Sequence, residues 1–210
     1  MGKKIITLED IRSAYEKRLP KPIGKYSKYS VLVPLVEKEG RLHLLYEVRS
    51  SRLEMQPGQI CFPGGQMEDG ETKEQCAVRE TCEELGVEAE NISIISQGDT
   101  LYTYSNFTMY SFIGEIEYGA LSPDRINKDE VEEYFLVDLD KLMKAKALMY
   151  DVPVVPQVEE DFPYEAIGYK EGYNWRQGVS QVPIINVDGR IIWGHTARIT
   201  LSFLGALGKR

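Results

Sequence analysis

The stretch from Phe62 to Val87 constrains the fold most, because it joins a glycine-rich turn to a predicted helix. Phe62-Pro63-Gly64-Gly65 cannot lie inside a helix, since a proline is followed there by two glycines. Thr72, with Gln75 three residues later, forms a capping-box pattern that predicts a helix beginning near Thr72. Gly86 suits the position just past the end of that helix.

The predicted helix carries three carboxylates at positions i, i+3 and i+4, namely Glu80, Glu83 and Glu84. These spacings place the side chains on one helix face, where like charges repel. One interpretation is an acidic face exposed to solvent. The other is a cation site, because carboxylates and a close backbone carbonyl at Gly64 or Gly65 are the hard ligands that Mg²⁺ and Mn²⁺ prefer. A cation would offset the repulsion and hold substrate phosphates.

The spacing of the charged residues and glycines in this stretch resembles the signature of the Nudix hydrolases. The matching positions are Gly65, Glu71, Arg79, Glu80, Glu83, Glu84, Gly86 and Val87. Thr81 lies where the family usually has an aliphatic residue. The resemblance implies an α/β (α+β) protein with the Nudix fold, an α/β/α sandwich with a mixed central sheet, as a single domain over residues 1–210.

The resemblance also implies roles for individual residues. The implied metal ligands are Glu80, Glu83, Glu84 and the Gly64 carbonyl. The implied catalytic carboxylates are Glu83, Glu84 and Glu130, with Glu133 as a second choice to Glu130. Structural support is implied for Glu71, Arg79, Gly65 and Gly86. For Glu130 and Glu133, an acidic strand face in solvent is an equal alternative.

A second motif, just before the glycine-rich turn, is similar to that of the coenzyme A pyrophosphatases within the same family. The matching positions are Leu45, Arg49, Ser50, Gly58 and Phe62 to Gly65. Three positions depart from the motif, with Tyr46 for Leu, Glu47 for Thr and Glu54 for Arg; the last reverses a charge that could meet a phosphate. Arg49 and Arg52 are the candidate phosphate-binding residues, and a surface arginine at a strand end is the alternative for Arg49.

The resemblance implies hydrolysis of a phosphoanhydride in a nucleoside diphosphate derivative, with Mg²⁺ or Mn²⁺ as the cofactor. Water attacks one phosphorus, a carboxylate takes its proton, and a phosphate monoester leaves. Coenzyme A or an acyl-CoA is the favoured substrate, giving 3′,5′-ADP and 4′-phosphopantetheine. The alternatives are ADP-ribose, a dinucleotide or a nucleoside triphosphate as substrate, or a non-catalytic nucleotide-sensing module.

The composition argues against a general binder of nucleic acid or anionic membranes, because 25 basic and 33 acidic residues give a net charge of −8. A small nucleotide is the expected partner, and a homodimer is left open. The odd number of cysteines predicts reduced thiols in a cytoplasmic protein. No apolar run has the length of a signal peptide or a membrane span.

Hydrophobic periodicity predicts the surrounding elements. Residues 1–29 are expected to form a short helix over Thr7 to Arg18 and a linker. A hairpin is predicted from Ser30 to Val48, in which Pro34 indicates an edge or a bulge. Residues 150–181 are predicted to be an irregular insertion that acts as a lid or a dimer contact. The remaining predicted elements are strands at 92–95, 108–116 and 129–137, a helix at 138–146, a hairpin at 182–193 and a helix at 194–207.

Overall fold

Residues 5–208 are described by a computed structural model, in which they form ten strands and four α-helices. The first four residues of the predicted N-terminal segment lie outside this range. The strands are β1 (Ser27–Lys38), β2 (Arg41–Arg49), β3 (Ile60–Cys61), β4 (Gly64–Gln66), β5 (Ile92–Tyr102), β6 (Phe107–Ile116), β7 (Val131–Asp138), β8 (Ala147–Val154), β9 (Gly178–Val187) and β10 (Arg190–Trp193). The helices are α1 (Leu8–Tyr15), α2 (Lys73–Leu85), α3 (Leu139–Lys144) and α4 (Gly194–Ala206).

The larger sheet contains seven strands and is mixed. Its main path has the order β3-β2-β1-β6-β5, while β7 pairs with β2 and β4 pairs with β1. β1 and β6 run parallel, and the other recorded pairs in this sheet are antiparallel. The smaller sheet has the antiparallel order β10-β9-β8.

Side chains of the two central strands alternate between two apolar cores. Val31, Val33 and Leu44 belong to the core that includes α4 and strands β9 and β10. Leu32 and Leu45 belong to the core under α2. Since successive strand residues point to opposite faces, burial on both sides explains why β1 is a continuous apolar run. The mixed sheet between helices confirms the predicted α/β/α sandwich.

The prediction that Pro34 marks an edge or a bulge is wrong. Pro34 lies in a central strand, opposite Gly114 of β6 in the parallel ladder. On the other side of β1, pairing with β4 ends at Val31 and pairing with β2 begins at Leu35. The missing N–H of the proline therefore falls where β1 changes its antiparallel partner, and a central strand tolerates it there.

Residues 150–181 are less irregular than the sequence predicts. β8 and β9 pair from Ala147 opposite Ile185 to Val154 opposite Gly178, which leaves residues 155–177 as a long connection. Most residues of β8 are exposed. The strand therefore lacks the alternating apolar pattern by which strands are recognised in sequences. A role for the connection as a lid or dimer contact stays a prediction.

Helix α1 is the predicted N-terminal helix and begins at a capping box, in which Thr7 and Asp10 bond each other's backbone N–H groups. It ends at Tyr15, before the predicted Arg18, and contributes no buried side chain. Across residues 5–208, no helix has both the length and the apolar character needed to cross a membrane.

We predict that Gly86→Ala lowers the free energy of unfolding by at least about 1 kcal/mol. Gly86 caps α2 in the left-handed region with φ 65°, and a Cβ there would collide with the backbone oxygen of Arg125. Gly205→Ala is a matched control, because Gly205 lies in α4 with open space around it. The control should stabilise the protein by about 0.5–1 kcal/mol. Urea unfolding measures both effects, and equal midpoints for the two variants would contradict the prediction.

Candidate active site

Helix α2 carries the predicted carboxylates, and its capping fixes its position. Thr72 Oγ1 accepts from Gln75 N at 3.2 Å, and Gln75 Oε1 accepts from Thr72 N at 2.8 Å, which confirms the predicted capping box. Ala77, Thr81 and Leu85, four residues apart on one side of α2, are fully buried and form its inward-facing stripe. The Thr81 hydroxyl donates to the Ala77 carbonyl at 2.7 Å, so it has a partner at a position where the family usually has an aliphatic residue.

Glu84 is the most buried of the three helix carboxylates and joins α2 to the glycine-rich turn. Its residue is 5% exposed, and its Oε2 accepts a hydrogen bond of 2.8 Å from Gly64 N. Burial is the main cause that raises the pKa of Glu84 to about 8, and the charges of Glu80 and Glu130 add to it. The bond from Gly64 acts in the opposite direction.

Glu80 lies against the second glycine of the turn. A Cβ at residue 65 would overlap the carboxyl group of Glu80, so this close approach requires Gly65. Glu80 Oε1 lies 2.9 Å from Arg79 Nη2, and its side chain is 15% exposed. Burial raises the pKa of Glu80, although Arg79 opposes the shift.

Arg79 binds Glu71 in the loop before α2 as well as acidic side chains of α2 itself. Its Nε and Nη2 donate to the two oxygens of Glu71, each at 3.1 Å. This contact lowers the pKa of Glu71 to about 2. Glu71 also accepts from Glu68 N at 2.6 Å. These bonds attach the loop to the helix, and the supporting roles of Glu71 and Arg79 stay predictions.

Glu83 differs from the other two helix carboxylates in its surroundings. Its side chain is 54% exposed and pairs with Arg79 Nη1 at 3.0 Å. In the part of the chain that the structure describes, no three acidic, cysteine or histidine side chains converge into a metal cage. On α2, one guanidinium, that of Arg79, pairs with both Glu80 and Glu83. The arrangement therefore places Glu80 and Glu84 at the turn and leaves Glu83 at the surface.

Glu47 adds a carboxylate that is not among the predicted site residues. It is fully buried, and neither of its carboxyl oxygens has a hydrogen-bond partner. Burial, followed by the charge of Glu84, raises the pKa of Glu47 well above its usual value. Strand alternation carries the signal that could have identified it, because Leu45 faces α2 and Glu47 lies two residues further on the same face.

Glu130 lies at the predicted junction between a loop and β7. Asn127 N donates to the Glu84 carbonyl at 2.9 Å, and Ser50 N donates to the Glu130 carbonyl at 2.8 Å, so the loop is attached to both α2 and β2. Burial is the main cause that raises the pKa values of Glu47, Glu80 and Glu84, and the charge of Glu130 raises them further. We call these four residues the acidic cluster: Glu47, Glu80, Glu84 and Glu130.

The two candidate phosphate-binding arginines have different surroundings. Arg49, at the end of β2, has a buried Nε without a hydrogen-bond partner, and its charge lowers the pKa values of two cluster members. Arg52 is exposed and pairs with Asp129 at 2.6 Å. Glu133, the second choice to Glu130, pairs with Arg190 of β10. The structure therefore brings Arg49 to the acidic cluster and leaves Arg52 and Glu133 in other ion pairs.

The acidic cluster fits a divalent cation by the chemistry of its donors. Carboxylate and carbonyl oxygens are the ligands that Mg²⁺ and Mn²⁺ prefer. An ionised carboxylate buried without a partner costs several kcal/mol, and Glu47 has two such oxygens beside Glu84. A cation bound there would compensate that charge.

A separate cavity of about 970 Å³ lies on the α4 side of the larger sheet, and none of the predicted site residues lines it. His195 lines this cavity and packs edge-on against Phe107, with ring centroids 5.4 Å apart. This contact gives His195 a packing role. Tyr102 and Tyr104, also in the lining, are 75% and 66% exposed, so they are not core residues.

Comparison with known proteins identifies the family to which the chain belongs. The NUDIX domain model matches residues 27–158. The chain belongs to the Nudix family. It is 36% identical over 143 residues to Nudix hydrolase 3 of Caenorhabditis elegans, covering 67% of this chain and 60% of that protein. It is 32% identical over 147 residues to a peroxisomal coenzyme A diphosphatase of Mus musculus, covering 69% and 60%.

Two further Nudix proteins match over nearly the whole chain. An uncharacterized Nudix hydrolase of Yersinia enterocolitica is 28% identical over 207 residues, covering 92% of this chain and 89% of that protein. The crystal structure of a MutT/nudix family protein from Enterococcus faecalis superimposes with a TM-score of 0.53 at 16% identity, covering 96% and 70%. This superposition confirms the predicted Nudix fold. The matches to the worm and mouse proteins span only 60% of those relatives' length.

We predict that the chelated protein loses stability between about pH 4.5 and pH 8 because of Glu84. Its pKa is raised from 4.5 to about 8 in the folded state, so the folded protein binds more protons than the unfolded chain in this interval and stability falls as pH rises. Glu84→Gln removes this titration while its amide oxygen can still accept from Gly64 N.

The measurement is urea unfolding at several pH values with a chelator present. The stability of Glu84→Gln relative to wild type should rise from pH 5 to pH 8. The control is Glu37→Gln at an exposed position of β1, which separates the loss of a surface carboxylate from the loss of the buried one. Parallel stability curves for wild type and Glu84→Gln would show that the assigned pKa is wrong.

Proposed function

We propose that this protein is a metal-dependent pyrophosphohydrolase that cleaves the phosphoanhydride of a nucleoside diphosphate derivative, with coenzyme A or an acyl-CoA as its preferred substrate. The main support is the bond from Gly64 N to the buried carboxylate of Glu84. It places the backbone of the glycine-rich turn beside the acidic cluster, where a cation and a diphosphate can both be bound.

Glu80, Glu84 and the Gly64 carbonyl would hold Mg²⁺ or Mn²⁺. When bound, the cation supplies Lewis-acid activation and offsets the charge of the diphosphate. Glu83 would join these ligands only after leaving Arg79, with which it pairs. Arg79 itself stays on Glu71 by two bonds and keeps the loop attached to the helix.

Glu130 is the proposed general base. It is the exposed member of the acidic cluster, so an attacking water can reach it, whereas Glu83 is held by Arg79. Glu130 takes the proton of the water while the water oxygen forms a bond to one phosphorus. The bridging phosphorus–oxygen bond breaks, and its electron pair leaves with the phosphate monoester.

Arg49 is the proposed contact to the diphosphate. It lies beside the acidic cluster with an unpartnered Nε, and a guanidinium offers paired donors to phosphate oxygens. Arg49 belongs to the motif shared with coenzyme A pyrophosphatases. Glu54, which departs from that motif, is exposed in the loop between β2 and β3. With coenzyme A, the products would be 3′,5′-ADP and 4′-phosphopantetheine.

The three cysteines Cys61, Cys76 and Cys82 are unbonded, which suits a reducing compartment. We retain the cytoplasm as the proposed location. Two relatives bear names that place them elsewhere, in peroxisomes and mitochondria.

We predict that, with Mg²⁺ or Mn²⁺, the protein hydrolyses coenzyme A to 3′,5′-ADP and 4′-phosphopantetheine faster than ADP-ribose, diadenosine tetraphosphate or ATP. The motif shared with coenzyme A pyrophosphatases is the reason to expect this preference, whereas Arg49 would contact the diphosphate of either coenzyme A or ADP-ribose. Mass spectrometry of the products measures both the rate and the bond that is cleaved. A chelator should abolish turnover.

Glu84→Gln is the active-site control, and its rate should fall by more than about 100-fold, since loss of a group that only orients a ligand costs about 10–100-fold. Faster hydrolysis of another compound in the panel would reassign the substrate. No hydrolysis of any compound would contradict the enzymatic proposal and favour a nucleotide-sensing module.

A further inference from the structure

We propose that Glu47 is a ligand of the divalent cation, contributed by strand β2 in addition to the carboxylates of α2. This inference rests on the proposed function and adds to it a residue outside the helix. With Glu47 as a ligand, the metal ion would link β2 of the sheet to helix α2.

The first observation is that the Glu47 carboxyl group is buried and unpartnered. The residue has no exposed surface, and neither oxygen has a partner with hydrogen-bond geometry. Its carboxyl group lies against that of Glu84, and burial together with this contact raises the pKa of Glu47. Folded proteins rarely leave buried polar atoms in this state, and an ion is one of the recognised explanations. If Glu47 only filled space in the core, an apolar residue of similar volume could replace it without loss of stability.

The second observation is that the surrounding groups leave negative charge uncompensated. Glu47 faces Glu84 on α2 and Glu130 on the loop before β7, and the charge of each disfavours its ionisation. Cys61, its pairing partner on β3, is a neutral thiol neighbour. The nearby cation is Arg49, whose Nε remains without a partner. If all three carboxyl groups were ionised, one guanidinium could not balance them, whereas a divalent ion beside it could.

The third observation is that Glu47 is held rigidly opposite the helix. Its backbone pairs with Cys61 of β3 on one side and with Tyr134 of β7 on the other. On α2, by contrast, Arg79 pairs with both Glu80 and Glu83. Magnesium-type ions require about six oxygen ligands. Glu47, fixed on β2, would supply one of these ligands without first breaking an ion pair with an arginine.

The test measures Mn²⁺ binding by electron paramagnetic resonance, without substrate, in wild type, Glu47→Gln and Glu47→Leu. Both variants should bind Mn²⁺ at least about tenfold more weakly, the minimum seen for groups that only support a ligand. Glu115→Gln is the matched control, because Glu115 is an exposed glutamate on β6 of the same sheet. Its affinity should equal that of wild type.

Thermal unfolding provides a second readout that also shows whether the variants fold. With a chelator, Glu47→Leu should unfold at a higher temperature than wild type, because it replaces a buried carboxyl group without a hydrogen-bond partner by an apolar side chain. Added Mn²⁺ should raise the unfolding temperature of wild type more than that of Glu47→Leu.

The outcomes separate this inference from the proposed function. Unchanged Mn²⁺ affinity in both Glu47 variants would overturn the inference, even if wild type hydrolyses coenzyme A. Weakened Mn²⁺ binding in the variants would support it, even if wild type hydrolyses none of the compounds in the panel. A wild-type protein that binds no Mn²⁺ would overturn it as well.

Discussion

The hydrogen bond from Gly64 N to the carboxylate of Glu84 joins the two halves of the site. The glycine-rich turn is fixed to β1 by β4 pairing, and α2 packs on the same sheet through its buried stripe. A buried carboxylate between them therefore has a defined position on both sides. Loss of this contact would leave an unpaired buried charge and a turn without its helix partner.

The concentration of negative charge around that bond works against folding and favours cation binding. Arg79 relieves part of the repulsion by pairing with Glu71, Glu80 and Glu83. The deeper carboxylates Glu47 and Glu84 form no ion pair with Arg79, and the charge of Arg49 lowers their pKa values. Under the proposed function, Arg79 holds the outer acids in place and the inner acids would bind the metal ion.

Local interactions explain which features could be predicted from the sequence. The capping box of α2 and the glycine at its end depend on residues a few positions apart, so their pattern was sufficient. The partner change at Pro34 and the pairing of β8 depend on distant strands and leave no local pattern. Glu47 was missed for another reason. Its alternation with Leu45 was visible, but its burial follows only from the helix packed above it.

Buried carboxylates at the turn are proposed to hold a divalent cation. A crystal structure of the protein with Mn²⁺, using anomalous diffraction to locate the metal, is the decisive test. We expect a peak about 2.0–2.2 Å from oxygens of Glu84, Glu47 and the Gly64 carbonyl. A peak bound only by exposed carboxylates such as Glu83, or no peak beside α2, would contradict it.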